Sequence, residues 1–228
     1  MGSKYHEKID VIKDKLSLLL KNIITADELS LEAFKLYDAK RFKEVENILS
    51  KISFSGDEID NEIIKTFALF GPEAKELRFL IAFLKMTNEL VSIGSGVKKY
   101  ARRMSEHSNS GFNLEPFKPS ILLLHKSSIN ALKYILECFT NIQECSYEDN
   151  YRKVLVEESM NDDLFSVLEK EILNKIIDEK ELSIEYVKVL GSLRKLERSC
   201  DRSVNIANLM MYAKLGGEIK LFNQIVKI

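Results

Sequence analysis

The chain is organised around the stretch Leu190–Tyr212, LGSLRKLERSCDRSVNIANLMMY. Glu197, Asp201 and Asn205 lie four residues apart in it, so a helix places them in one row along one side. An apolar stripe lies beside that row. Its members are Leu190, Leu193, Leu196, Cys200, Val204, Ala207 and Met211. The row therefore follows the edge of a buried face, where a carboxylate loses hydration and needs a cation or hydrogen bonds.

The spacing of this row leaves two interpretations open. Two carboxylates and an amide oxygen are hard ligands that suit a divalent or trivalent metal ion. The alternative is a solvated charged row, because Arg198 and Arg202 can pair with the acids locally. Spacing alone favours the solvated row, since the pattern ExxxD is common on the surfaces of helices.

The composition favours long helices. Hydrophobic residues make up 45% of the 228 residues and charged residues 30%, with only nine Gly and three Pro to interrupt helices. The formal net charge of −1 provides no global basic field, so we expect no nucleic-acid partner. A local basic cluster contains Lys98, Lys99, Arg102 and Arg103. We interpret it as a solvated helix face.

The three cysteines, Cys138, Cys145 and Cys200, bear on the cellular compartment. Their odd number and the lack of a CxxC pair argue against a disulfide framework or a cysteine zinc site. We therefore expect reduced, mostly buried thiols in a cytoplasmic protein. The longest apolar runs are too short to span a membrane, and the polar N-terminus does not resemble a signal peptide.

Apolar residues recur at helical spacing throughout the chain, and no stretch alternates with a period of two, so the sequence predicts an all-α fold. We place helices at about residues 4–36, 42–70, 72–105, 120–143, 150–178 and 183–216. We expect Ser53–Gly56 to interrupt the second helix, Pro72 to begin the third and the pair Gly216–Gly217 to end the sixth. The segment 108–120, with two of the three prolines, is the predicted linker.

An internal repeat indicates two similar halves. Sliding the sequence by 106 positions superposes the third helix on the sixth, as two copies of a three-helix bundle require. The matched pairs include Leu84 with Leu190, Leu90 with Leu196 and Ala101 with Ala207. We therefore predict two tandem three-helix bundles, residues 1–110 and 111–228. Helices of ~30 residues are about 45 Å long, so the six-helix molecule should be elongated.

Three stretches of the sequence, at Ile59-Asp60, Pro72–Gly94 and Glu197–Asp201, resemble the PhoU family, phosphate-transport regulators built from two tandem three-helix bundles. The segment Glu197-Arg198-Ser199-Cys200-Asp201, with Asn205 four residues on, is similar to the motif that the family repeats in each half. Pro72–Gly94 is similar to the family's entry into the third helix, and Ile59-Asp60 to a pair in the second. The resemblance covers nearly the whole chain.

The first copy of the motif departs from the family pattern. Val91 stands where the family has Glu, Ser95 where it has Asp, and Lys99 at the third position. Members of the family can bind metal ions on both motif surfaces, but here the resemblance supports only the second. It implies metal ligation by Glu197, Asp201 and Asn205, with Asp162 and less clearly Glu158 from the fifth helix. The metal would be Fe, Mn, Zn, Mg or Ca.

The sequence contains no motif for covalent chemistry, since it lacks a phosphate-binding loop, a GxSxG elbow and an HExxH pair. No histidine has a glutamate three residues before it, which argues against a di-iron site. His125, among leucines, is interpreted as a packed residue. We therefore do not expect an enzyme.

The resemblance implies a cytoplasmic regulator of phosphate uptake and signalling that docks on a membrane phosphate transporter and on a sensor kinase. A homodimer is plausible, because a second chain could complete a metal shell. One alternative is a PhoU-like domain that serves another transporter, such as a sodium–phosphate cotransporter, or a channel. The others are a metal-binding or metal-storage helical protein with no phosphate role, and a structural bundle whose acidic row is solvated.

Overall fold

A computed structural model describes residues 3–110, 113–141 and 144–216, and α-helices account for most of them. In chain order they are α1 (Ser3–Leu36), α2 (Ala39–Ile48), α3 (Ile52–Phe70), α4 (Ala74–Ser110), α5 (Lys118–Thr140), α6 (Tyr147–Asp178) and α7 (Ser183–Leu215). Short 3-10 turns at Glu115–Phe117 and Lys180–Leu182 precede α5 and α7. The predicted all-α fold is confirmed.

The second predicted helix is split into α2 and α3, and the break lies at residues 49–51 instead of Ser53–Gly56. Leu49 lies at the break as the C-cap of α2, where the residue is only 1% exposed and its N–H donates to Val45 to complete the last turn. The bend at Leu49 lets both helices bury apolar side chains. Gly56, which we expected to interrupt the helix, lies inside α3.

The other helix boundaries deviate by a few residues. Gly71 adopts a left-handed conformation with φ of 51° and ends α3, so α4 begins at Ala74 and not at Pro72. Gly216 caps α7 through its N–H bond to Tyr212, as expected. Residues 111–112 of the linker, the predicted helix end at 143 and Gly217 lie outside the described residues. The proposed boundary between residues 110 and 111 stays a prediction.

Two helical bundles lie in tandem and share one core. The first contains α1 to α4 and the second α5 to α7. The two bundles are joined mainly by α4 packing along α7, with α1 also contacting α5. Contacts of Glu89 with Arg202 and of His107 with Glu185 show that α4 and α7 run antiparallel. Within the described ranges, no helix has the length and apolar content to cross a bilayer.

The expectation of reduced thiols is wrong for two of the three cysteines. Cys138 near the end of α5 and Cys145 just before α6 form a disulfide. The short connection between the helices brings their Cα atoms to 5.1 Å, which is within the usual range for a disulfide. Cys200 is free and buried, as predicted.

Candidate metal-binding surface on α6 and α7

An acidic surface forms where α6 packs along α7. Glu158 and Asp162 lie one turn apart on α6, and Glu197 and Asp201 lie one turn apart on α7. The four carboxyl groups are close enough for their charges to interact. The structure therefore brings together three of the predicted residues, Asp162, Glu197 and Asp201. It adds Glu158, which the resemblance placed there less clearly.

The pKa values of Glu158, Glu197 and Asp201 are raised because these acids are partly buried and lie close to other acids. Burial first, and then the charges of Asp201, Asp162 and Glu197, raise the pKa of Glu158 to about 7. Burial and Asp201 also raise the pKa of Glu197 to about 7, against opposing effects of Arg194 and Arg198. Burial is likewise the main cause of the raised pKa of Asp201. The surface thus requires protons or a cation.

Asn205, the last member of the predicted row, turns toward the first bundle. Its amide nitrogen lies 3.4 Å from one carboxylate oxygen of Glu89 on α4. The other oxygen of Glu89 accepts a hydrogen bond of 2.6 Å from Arg202. Arg202 therefore pairs across the bundles instead of within the acidic row. We missed Glu89 in the sequence, where only knowledge of the α4–α7 packing could have revealed it.

The donor chemistry of the acidic surface suits a hard cation. Glu197 has a carboxylate oxygen that is buried and lacks a hydrogen-bond partner among the described residues. Such an oxygen is stabilised by a bound ion. As the side chains lie, no three His, Cys, Asp or Glu side chains in the described ranges converge as a metal centre. A metal ion would therefore have to draw the carboxylates inward.

The first motif has an apolar contact where the second has acids. Val91 packs against Gly56, and a Cβ on that glycine would lie 2.5 Å from a methyl group of Val91. Nearby on α3, burial and the charge of Asp57 raise the pKa of Asp60. Because Val91 and Ser95 carry no charge, this surface lacks the carboxylate row of the second bundle.

Lys99, the third member of the first motif, belongs to a basic cleft. Burial first, and then the charges of Arg198, Lys99 and Arg103, lower the pKa of Lys195 on α7. The basic cluster that we interpreted as a solvated face of one helix is therefore extended by cations of a second helix.

His125 is fully buried, as predicted for a packed residue. Its Nδ1 atom lies 3.2 Å from a carboxylate oxygen of Asp27 on α1, and its ring meets that of Tyr100 edge-on at 4.8 Å. This polar group lies where α1, α4 and α5 meet, so it belongs to the junction between the bundles.

Comparison with known families gives two matches to the PhoU domain, over residues 16–104 and 121–210. The chain therefore belongs to the PhoU family. The two matches fall one in each bundle and agree with the internal repeat of 106 positions.

Relatives and solved PhoU structures align with most of the chain. The phosphate-specific transport system accessory protein PhoU homolog 1 of Thermotoga maritima is 25% identical, over 94% of this chain and 88% of its own length. The PhoU accessory protein of Serratia marcescens is 22% identical, over 75% of this chain and 68% of its own length.

The crystal structure of PhoU from Pseudomonas aeruginosa matches the fold with a TM-score of 0.85 at 20% sequence identity, and the match covers 93% of this chain and 100% of that chain. The crystal structure of PhoU from Streptococcus pneumoniae has a TM-score of 0.80 at 19% sequence identity, and the match covers 95% of this chain and 100% of that chain. These structures confirm the fold of two tandem helical bundles.

Proposed function

We propose that this chain regulates phosphate uptake by docking on a membrane phosphate transporter, and that it also contacts a sensor kinase. The observation that carries the proposal is the pair of PhoU-domain matches, which span both bundles. At the coarser level, membership of the family makes the chain a regulator of phosphate transport. The identity of the docking partners is the finer part of the proposal.

The mechanism is recognition between protein surfaces. The shared core and the antiparallel pairing of α4 and α7 hold the two bundles in one arrangement, so the chain presents long helix faces to a partner. A preorganised surface of this kind binds with little ordering cost. A homodimer would present two copies of these faces.

Deleting the gene tests this role. In the source cell, phosphate uptake at high external phosphate should lose its normal down-regulation, and the wild-type gene supplied in trans should restore it. In parallel, the purified chain should bind the purified transporter complex. If uptake is unaffected by the deletion and the purified proteins do not associate, the proposal fails.

We further propose that Asp162, Glu197 and Asp201, with Asn205 and Glu158, hold a divalent or trivalent metal ion. The support is the raised pKa values of Glu158 and Glu197 and the buried oxygen of Glu197 that lacks a hydrogen-bond partner among the described residues. A bound cation would neutralise the acids and fix α6 against α7.

Metal content tests this site. Protein purified without chelator should contain stoichiometric Fe, Mn, Zn, Mg or Ca, and the variant Glu197→Gln/Asp201→Asn should lose it. The matched control is Glu171→Gln/Asp178→Asn, which removes the same charges from the exposed face of α6. An absence of metal from every sample would overturn the metal proposal and leave the docking proposal standing.

A further inference from the structure

A basic cleft of about 260 Å³ lies between α4 and α7. Its lining residues are Lys99, Arg102, Arg103, Gly191, Ser192 and Lys195. Four of the six are cations and none is an acid. Because α4 and α7 belong to different bundles, the cleft exists only where the bundles meet.

The cations of the cleft have no carboxylate partners among the described residues. Three other cations of α7 have carboxylate partners: Lys188 pairs with Glu185, Arg194 with Glu169 and Arg202 with Glu89. Like charges held together repel, and proteins normally intersperse them with acids. The four cations of the cleft therefore differ from these three paired cations of α7.

The internal repeat shows which charge is missing. A shift of 106 positions relates Glu89 to Lys195 and Gly96 to Arg202. In one copy of this contact, Glu89 accepts a hydrogen bond from Arg202. In the other, Gly96 faces Lys195, whose carbonyl oxygen lies 3.8 Å from the position of a Cβ on Gly96. Lys195 thus occupies the position that corresponds to Glu89 in the other half of the repeat. Its positive charge adds to the charges of the cleft, whereas a carboxylate at this position would neutralise one of them.

We propose that this cleft binds a compact anion that carries at least two phosphate groups. One phosphate monoester carries about −1.5 to −2 charge near neutral pH, so four cations match more than one such group. The planar guanidinium groups of Arg102 and Arg103 suit two-point binding of phosphate oxygens, and Lys99 and Lys195 add point charges. A soluble polyphosphate compound and the two-phosphate headgroup of cardiolipin share this chemistry. The inference goes beyond the proposed docking on a transporter and does not depend on it.

Calorimetric titration with pyrophosphate and with inorganic phosphate tests the site. Pyrophosphate should bind more tightly than phosphate, and its affinity should fall as salt rises from about 50 to about 200 mM, because screening weakens exposed charges. The variant Arg103→Gln/Lys195→Gln should weaken pyrophosphate binding at least about tenfold, since it removes two of the four charges. The control Lys43→Gln/Lys170→Gln makes the same charge change at exposed lysines outside the cleft lining and should bind as the wild type does.

Flotation with vesicles separates the two sources of phosphate. Binding to cardiolipin vesicles, whose headgroup carries two phosphates, but not to phosphatidylcholine vesicles would identify a lipid headgroup as the ligand, provided that Arg103→Gln/Lys195→Gln alone loses this binding. Pyrophosphate binding without vesicle binding would identify a soluble anion. Either result supports the cleft as a phosphate site.

Three outcomes would overturn the proposal. The first is that neither pyrophosphate nor anionic vesicles bind at low salt. The second is that the two double variants weaken pyrophosphate binding equally, and the third is that only an acidic peptide or DNA binds.

Thermal melting checks that the variant is folded. Because the substitutions relieve repulsion, Arg103→Gln/Lys195→Gln should melt no lower than the wild type without ligand. If that variant fails to fold, Lys99→Gln takes its place in the same titration.

Discussion

Glu158 couples the stability of the protein to pH through a single carboxyl group. Its side chain is 7% exposed, and burial together with three neighbouring acids raises its pKa to about 7. Between about pH 4.5 and pH 7, Glu158 therefore keeps its proton in the folded protein, whereas the same group in the unfolded chain has released it. The contribution of protonated Glu158 to the free energy of unfolding is complete below about pH 4.5, and it is lost as the pH rises toward about 7.

Glu158→Gln should therefore stabilise the metal-free protein at about pH 8, because the amide removes a charge that burial disfavours. We expect a gain of about 1–2 kcal/mol, or a few degrees in Tm, and a smaller fall in Tm between about pH 5 and pH 8. Circular dichroism melts in the presence of chelator measure both effects. Glu171→Gln, an exposed site on the same helix, is the control. A variant that melts lower than the wild type at about pH 8 would contradict this prediction.

The buried pair of Asp27 and His125 should show strong coupling. Both side chains are fully buried and lie 3.2 Å apart, so removing one leaves the other polar group isolated in the core. His125→Leu alone should cost about 3–5 kcal/mol, whereas Asp27→Val/His125→Leu should recover most of that loss because it isolates neither member of the pair. Urea denaturation of the wild type, both single variants and the double variant measures the coupling. Additive losses would show that the pair does not act as a unit.

Gly94 and Gly191 lie in different helices, and we expect opposite effects on stability when each is replaced by alanine. A Cβ on Gly94 of α4 would lie 2.8 Å from two atoms of Ile52 on α3 and 3.3 Å from Ile23 on α1. A Cβ on Gly191 of α7 would have no neighbour within 4 Å. The missing side chain of Gly94 therefore allows α4 to pack closely against α1 and α3. Gly191 makes no comparable close contact, so a side chain there would not change the packing of α7.

Gly94→Ala should destabilise the protein by about 1–3 kcal/mol, because crowding exceeds the gain in helix propensity. Gly191→Ala should stabilise it by about 0.5–1 kcal/mol, because alanine favours the helix and meets no other atom. Chemical denaturation of the two variants beside the wild type provides the comparison, and each serves as the other's control. Equal effects at the two positions would mean that α4 is not closely packed at Gly94.

The helices themselves were largely predictable, because apolar residues at helical spacing mark a buried stripe wherever a long helix packs on a core. The break between α2 and α3 was not. Leu49 fits the same apolar pattern as its neighbours, so the pattern does not mark the end of α2 at this residue. The disulfide was missed for a similar reason. The contact of Cys138 with Cys145 depends on how tightly the chain turns between α5 and α6.

The acidic surface was predictable in part. Glu197 and Asp201 are placed in one row by helix geometry alone, and the family resemblance supplied Asp162 on the facing helix. The contact of Glu89 and the addition of Lys195 to the basic cluster could not be found in this way, since both depend on the antiparallel packing of α4 against α7. A pattern within one helix carries no information on which distant helix lies opposite.

At the scale of the whole molecule, the two bundles behave as one structural unit. Buried side chains from α1 to α7 form one continuous apolar cluster, including Phe83 and Leu90 of α4 and Leu196 and Val204 of α7. Separating the bundles would expose apolar surface on both helices. Each buried aliphatic or aromatic side chain that became exposed would cost about 1.5–3 kcal/mol. Neither bundle therefore has a complete core without the other.

We therefore expect one cooperative unfolding transition. Circular dichroism during chemical denaturation should give a single step, and the calorimetric and van't Hoff enthalpies of thermal unfolding should agree. The variant Glu89→Gln/Arg202→Gln removes the partly exposed ion pair between the bundles and should lower stability by no more than about 1 kcal/mol, without splitting the transition. Cohesion then depends on the shared apolar core and not on the ion pair. Two separate transitions in the wild type would contradict a shared core, and a split found only in the variant would give the ion pair the dominant role in joining the bundles.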